Sequence, residues 1–303
     1  MKRFSTVSRH DDLVRPTVAR FAAGSAVTTR VLVTGAAGNL GHKAIAALAE
    51  LDASAVLGID HGPAGDLGSE IELIDADLST YDPSWAERFR DVDVVLHLAA
   101  DPRPIATWQS VLRSNLDLSH HVLRAAEQHG VLRFVFASSN WVLGGYRFTN
   151  ETLTPATPPR PVNPYGFSKL ATERDGAAVS ARCGMSFLAL RIGWCQPGDN
   201  RPGSHMAFGR WGQELWLSND DWHQAVQRAC TAPFEGFAVV NVMSDNVGMR
   251  WNLTDTERLL GYRPLSRHIP RLPARRRVTN RAAQVRDFVS APGTGAPRFG
   301  ARW

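Results

Sequence analysis

Cysteine is scarce in this chain: among 303 residues there are only Cys183, Cys195 and Cys230. None has a partner at C-x-x-C spacing and none stands in a Cys/His cluster. That excludes a disulfide scaffold and a thiolate metal site, and makes a reducing cytoplasm the default compartment. Long hydrophobic runs are missing as well. No apolar stretch approaches the roughly 20 residues that a bilayer-spanning helix needs, so the chain reads as soluble, with no membrane partner. The first 29 residues lack the continuous apolar core of a secretory signal and read as a poorly ordered N-terminal extension. Acids are nearly absent from the other end. Residues 266–303 hold nine arginines against one acid, Asp287, a local charge of +8 that leaves −3 for the rest of a chain whose net charge is +5. The basicity belongs to a tail and not to the body. No helix-turn-helix or aromatic-interleaved RNA motif accompanies that tail, so it reads as a solvated segment and not as a nucleic-acid binder.

What is present is an alternation of apolar runs with helical patterns. Apolar residues make up 44% of the chain, enough for a packed core. Strands are expected at 30–34, 55–60, 72–77, 92–100, 133–137, 186–192 and 237–242. Helices are expected after Gly38, over 107–128 with Gly130 as the stop, and over 165–182. Two more open at Ser218 and at a Thr254-Asp255-Thr256-Glu257 capping box that ends at Gly261. Such alternation implies a parallel sheet with helices on both faces, an α/β, Rossmann-like doubly wound fold. The pattern changes after Gly193. We therefore expect a nucleotide-binding domain over 30–193, a small C-terminal substrate lobe over 194–265 and the basic tail from 266.

The run Thr34-Gly35-Ala36-Ala37-Gly38-Asn39-Leu40-Gly41 joins the first strand to the first helix. Glycines there let the backbone approach a pyrophosphate, whose charge is favoured at the helix N-terminus. Asp60, 25 residues after Gly35, ends the second strand, where a carboxylate accepts ribose hydroxyls and repels a 2′-phosphate; this favours NAD over NADP. Asp77 and Leu78 follow the third strand and are candidates to flank the adenine, an exposed acidic turn being the alternative. Ser138, Ser139 and Asn140 stand at the carboxyl end of the fifth strand, where open α/β sheets bind ligands. Tyr165 and Lys169 are four residues apart, on one face of a helix. An ammonium beside a phenol, whose ordinary pKa is about 10, favours the phenolate and makes a base of it.

Together with His97-Leu98-Ala99-Ala100 and Asn115, these motifs resemble the extended short-chain dehydrogenase/reductase (NAD-dependent epimerase/dehydratase) superfamily over residues 30 to about 265. Within it, Ala137 to Asn140, Leu190-Arg191-Ile192-Gly193, Pro197 and Leu215 to Asp221 resemble the uronate dehydrogenases, which oxidise a hexuronic acid at C1. The resemblance implies that Tyr165 is the base, that Ser139 hydrogen-bonds the reacting oxygen, and that Lys169 binds the nicotinamide ribose and holds Tyr165 anionic. Ser139 is preferred to Ser138 because it lies five residues before Gly144, the family spacing. Asn39, Leu40, Leu98, Ala99 and Ala100 would line the cofactor, and Asn115 would bond backbone and hold a water on a proton path, a plain solvent-facing Asn being the alternative. Asn140 would touch the substrate. Its carboxylate would be gripped by Arg201 or Arg210 from a segment longer than the family pattern. Pro102 and Trp141 replace a serine and a histidine, which removes two polar contacts and points away from the usual hexuronate. The implied substrate is a sugar or sugar acid, and the implied assembly a homodimer through the helices beginning near Thr107 and Asn163. An NAD-retaining nucleotide-sugar epimerase and a non-catalytic NAD-sensing regulator remain the alternative readings.

Overall fold

Strands buried on both faces form where apolar residues run without interruption. The computed structural model describes residues 29–51, 54–62 and 71–272. Within them lie β1 (Thr29–Thr34), β2 (Ser54–Asp60), β3 (Glu72–Asp75), β4 (Val94–His97), β5 (Arg133–Ser139), β6 (Ser186–Ile192) and β7 (Phe237–Val242). All pair in parallel in the order β3-β2-β1-β4-β5-β6-β7. Every residue of β4, β5 and β6 is buried.

The side-chain alternation of β1 shows how the layers form. Val31 and Val33 face α1 (Asn39–Ala49), packing with Ala44, Ile45 and Leu48, whereas Leu32 faces the opposite layer with Val95, Val122 and Leu123. Tryptophan 222 and Val226 bring a further helix, Asn219–Thr231, against α1 on the first face. Trp222 Nε1 donates to Leu40 O at 3.2 Å and Gln227 Nε2 to Ala47 O at 2.8 Å. Strand order reverses between β1 and β4, and ligands bind in the crevice at the carboxyl ends of strands flanking such a switch point.

Several expectations are corrected. The helix expected over 107–128 is three pieces: α-helix Trp108–Val111, a π-helical segment Leu112–Asp117, and α-helix Leu118–Gln128. The wider turn carries Asn115 inward. The segment expected as a separate lobe after Gly193 adds β7 to the main sheet, and the helix Asn219–Thr231 shares its core. A smaller cluster of Leu143, Tyr146, Leu153, Trp211, Leu215, Met243 and Trp251 lies beside the strand ends. The capping box at Thr254 does not form, because Asn252 Oδ1 accepts from Thr254 N at 2.8 Å instead. The first residues of the basic tail are tied down: Ser266 N donates to Asp221 Oδ2 at 3.3 Å, and Val247 N to His268 O at 2.8 Å. The rest of that tail and the N-terminal extension before Thr29 lie outside the described residues.

Candidate active site

Local sequence sets the two ends of one long cleft. At Gly35 the backbone is left-handed, with φ of +70°, and a Cβ there would lie 2.7 Å from Ala99 N. The helix α1 then begins at Gly38 with no side-chain cap, so its first amides are left to a ligand. Gly41 serves packing, since a Cβ would meet Gly35 O at 2.2 Å. At the other end Asn163 caps the helix Pro164–Cys183, its Oδ1 accepting from Gly166 N at 2.7 Å, and Pro164 occupies the first turn. That cap fixes where Tyr165 and Lys169 emerge beside Ser139, at the end of β5.

The cleft between them has a volume of roughly 990 Å³. Its lining includes Gly35, Gly38, Asn39, Leu40, Gly41, Asp60, Asp77, Leu98, Ala99, Ala100, Ser139, Tyr165 and Lys169. Asp60 accepts from Ala37 N at 2.8 Å and from His61 N at 2.7 Å, which holds its carboxylate at the end of β2. Asn39 Nδ2 donates to Cys195 O at 3.0 Å. These features fit a dinucleotide: uncapped amides for its phosphates, a carboxylate for a ribose, and a glycine turn that a side chain would block.

Other candidates fall elsewhere. Leu78 is 3% exposed and packs in the core below β2, so its side chain is not at the adenine end. Asp77 does line the cleft, with Oδ2 accepting from Arg113 Nη2 at 2.7 Å. The side chain of Asn140 is buried and donates to Ile192 O at 2.9 Å, tying β5 to β6 instead of facing the cleft. Arg201 is outside the cleft, exposed and paired with Asp199 at 3.3 Å. Arg210 lines a different cavity, described below. Neither arginine expected at the substrate lines the cleft that holds Tyr165. Asn115 bonds backbone: its Oδ1 accepts from Asp101 N at 2.8 Å, and its Nδ2 donates to Ser168 Oγ at 3.0 Å. It thereby fastens the loop after β4 to the Tyr165 helix. A π-helical turn at such a position is a frequent mark of function.

The electrostatics revise one expectation. Burial pushes the Tyr165 phenol up to about 12, with Asp101 adding to the rise, while a hydrogen bond from Ser139 opposes it. Burial draws Lys169 down to about 7. Both groups lose solvation in the same cleft, so burial opposes the phenolate–ammonium state. The Lys169 Nζ lies 4.9 Å from the Phe136 ring centroid and 5.7 Å from that of Tyr165. His97 is buried between Thr34 Oγ1 at 2.7 Å and Ser119 Oγ at 3.0 Å; burial, and then Lys169, lower it to about 3, so it is a neutral strut at the floor.

Sequence reasoning missed Asp101, Arg103 and Arg113 on the cleft wall. Asp101 follows the Ala99-Ala100 motif and was within reach. Its carboxylate accepts Arg103 Nε at 2.8 Å and Arg103 Nη2 at 2.7 Å, and that hydrogen bonding holds it down to about 2. Nothing local marks Arg113, whose partner is 36 positions away.

Comparison with known proteins agrees with this geometry. Residues 31–195 match the NAD dependent epimerase/dehydratase family. An L-arabinose 1-dehydrogenase (NAD(P)(+)) of Haloferax volcanii is 36% identical over 251 residues, covering 78% of this chain and 96% of that protein. A uronate dehydrogenase of Pseudomonas syringae pv. tomato is 33% identical over 227 residues, 74% of this chain and 77% of the relative. The crystal structure of uronate dehydrogenase from Agrobacterium tumefaciens aligns with a TM-score of 0.68 at 27% identity, over 88% of this chain and 91% of that one.

Proposed function

The chain belongs to the NAD dependent epimerase/dehydratase family, and from that premise we propose that it is an NAD-dependent dehydrogenase oxidising a CH–OH group of a neutral sugar. The observation that carries the reading is the meeting of Ser139, Tyr165 and Lys169 in the cleft that begins at the glycine turn. When bound, NAD supplies the hydride acceptor and a positively charged ring. Amides at the start of α1 would hold its phosphates, and Asp60 its adenosine ribose. Ser139 orients the reacting oxygen of the sugar, and Tyr165 takes the hydroxyl proton, a positioned acid–base step. Bringing the Tyr165 phenol from about 12 to neutrality requires on the order of 7 kcal/mol at 1.36 kcal/mol per unit. Positive charge beside it must provide this. Lys169, near 7, is poised between ammonium and amine, so it can favour the phenolate and pass a proton on.

A neutral substrate is favoured because both arginines lining the cleft are engaged with carboxylates, Arg103 with Asp101 and Arg113 with Asp77. A sugar acid would there meet Asp60, Asp77 and Asp101 along with those two guanidiniums. Assembly as a homodimer is supported by an apolar face on the same helices: Trp108 and Phe167 are exposed, their rings 5.4 Å apart, with Ile105 and Leu112 exposed nearby in the chain.

Replacing Tyr165 with Phe is expected to lower sugar-dependent NADH formation by about 10²–10⁴-fold while leaving NAD affinity within about twofold. A variant that turns over at the wild-type rate would remove Tyr165 from the mechanism.

A further inference from the structure

Beside the catalytic cleft, and sharing no lining residue with it, is a second cavity of roughly 310 Å³. Three arginines line it, Arg147, Arg210 and Arg250, against one acid, Glu214. Arg250 is spent on the protein, donating through Nη1 to the carbonyls of Tyr146, at 2.9 Å, and Thr149. Arg210 is different. Its Nε donates to Glu214 Oε1 at 2.5 Å, and its side chain is 56% exposed. Its terminal nitrogens lie over Gly248, where a Cβ would sit 2.4 Å from Nη2. A guanidinium fork held by one edge is suited to a carboxylate at the other.

Aromatic contacts link the linings of the cavity and the cleft. Trp194 lines the cleft and Phe208 lines the cavity, with centroids 6.1 Å apart; Trp141, two residues beyond Ser139, meets the Phe208 ring edge-on at 5.2 Å. Phe208 stands in the left-handed backbone region, at φ +64°, followed by Gly209 at +61°. A bulky residue there is strained, and such strain persists only where the surroundings enforce it.

We propose that the Trp194–Phe208 wall, braced by Trp141, is a specificity-determining partition: it keeps the anionic group of sugar acids from Arg210 and confines the enzyme to neutral sugars. The inference rests on the sugar dehydrogenase reading above and specifies its substrate class. The cleft sets Arg103, Arg113 and Lys169 against Asp60, Asp77 and Asp101, whereas the cavity sets three arginines against Glu214 alone, so a carboxylate losing its hydration is better compensated behind the wall.

The test compares D-galactose with D-galacturonate, which differ only at C6, by kcat/KM for NADH formation. Wild type should favour galactose. The F208G variant removes the ring and suits the positive φ; if the partition acts as proposed, the galacturonate-to-galactose ratio rises by about tenfold or more. Adding R210Q to F208G should return the ratio to its wild-type value, which a merely looser cleft would not do. W194A/F208G serves as the second variant should one ring alone still close the wall. A ratio unmoved in both variants overturns the partition. So does a gain that survives R210Q, or a wild type that already uses both sugars equally. If wild type oxidises neither these sugars nor other aldoses and uronates, the parent reading fails and takes the partition with it.

Discussion

At the scale of the residue, Lys169 is a charge that burial makes costly to fold around. It is 4% exposed and its ammonium is drawn from 10.5 to about 7 by burial. Because the folded value lies below the unfolded one, the folded chain holds fewer protons between those limits. The cost of burying the charge is therefore fully present below about pH 7 and is relieved as pH rises towards 10.5. At 1.36 kcal/mol per unit it is on the order of 5 kcal/mol. Replacing Lys169 with Met should accordingly raise the Tm of the cofactor-free protein, more at about pH 6 than at about pH 9, while abolishing turnover. Thermal unfolding at the two pH values checks this; a fall in Tm at the lower pH would mean the ammonium is well solvated in the fold.

At the scale of the element, the Tyr165 helix is held at both its cap and its middle. Glu173, one turn after Lys169, forms a buried pair with Arg191 of β6: Arg191 Nε donates to Oε1 at 3.0 Å and Nη2 to Oε2 at 2.9 Å, with both side chains 3% exposed. Ser138 Oγ donates to the same Glu173 Oε1 at 2.5 Å, so helix, β5 and β6 are locked together beside Ser139. Removing only Glu173, by E173M, leaves a buried guanidinium without its counter-ion and should cost about 3–5 kcal/mol of stability. The double variant E173M/R191M should recover much of that loss, since no charge is then left unpaired. Denaturant unfolding measures both; a double variant as unstable as the single one would show that packing, and not charge, is what the pair provides.

At the scale of the whole molecule, the chain beyond β7 returns to close the structure. Asp221, fully buried, accepts from Ser244 Oγ and Leu265 N, each at 2.5 Å. Gln213 then clamps Arg271, its Oε1 accepting from Arg271 N at 2.8 Å and its Nε2 donating to Arg271 O at 3.0 Å. Elsewhere on the surface, Trp108 and Phe167 form an exposed pair, the first on the short helix leading into the π-helical turn of Asn115 and the second on the Tyr165 helix. If that face joins two copies, W108E/F167E should convert a dimer to a monomer in light scattering with little change in monomer fold by circular dichroism. Buried charge at an apolar interface is costly without a partner, whereas on a free surface it is nearly neutral. An unchanged mass would place the interface elsewhere or remove it.

The family resemblance singled out Ser139; the amino-acid sequence by itself determined the seven strands, the glycine turn, Asp60 at the end of β2, and the Tyr165 and Lys169 pair. These rest on short-range physics: hydrophobic periodicity, backbone freedom at Gly35, and the four-residue repeat that places Tyr165 and Lys169 on one helix face. Tertiary structure alone decided which arginines reach the chemistry. Arg201 and Arg210 were both candidates in sequence, Arg201 the preferred one, yet Arg201 is paired with Asp199 on the surface and Arg210 lines the second cavity with Phe208. It also sent Leu78 into the core and paired Arg113 with Asp77 across 36 positions. The protonation of Tyr165 and Lys169 was likewise decided in three dimensions. Desolvation depends on every chain segment that covers a group, and no local pattern carries that sum.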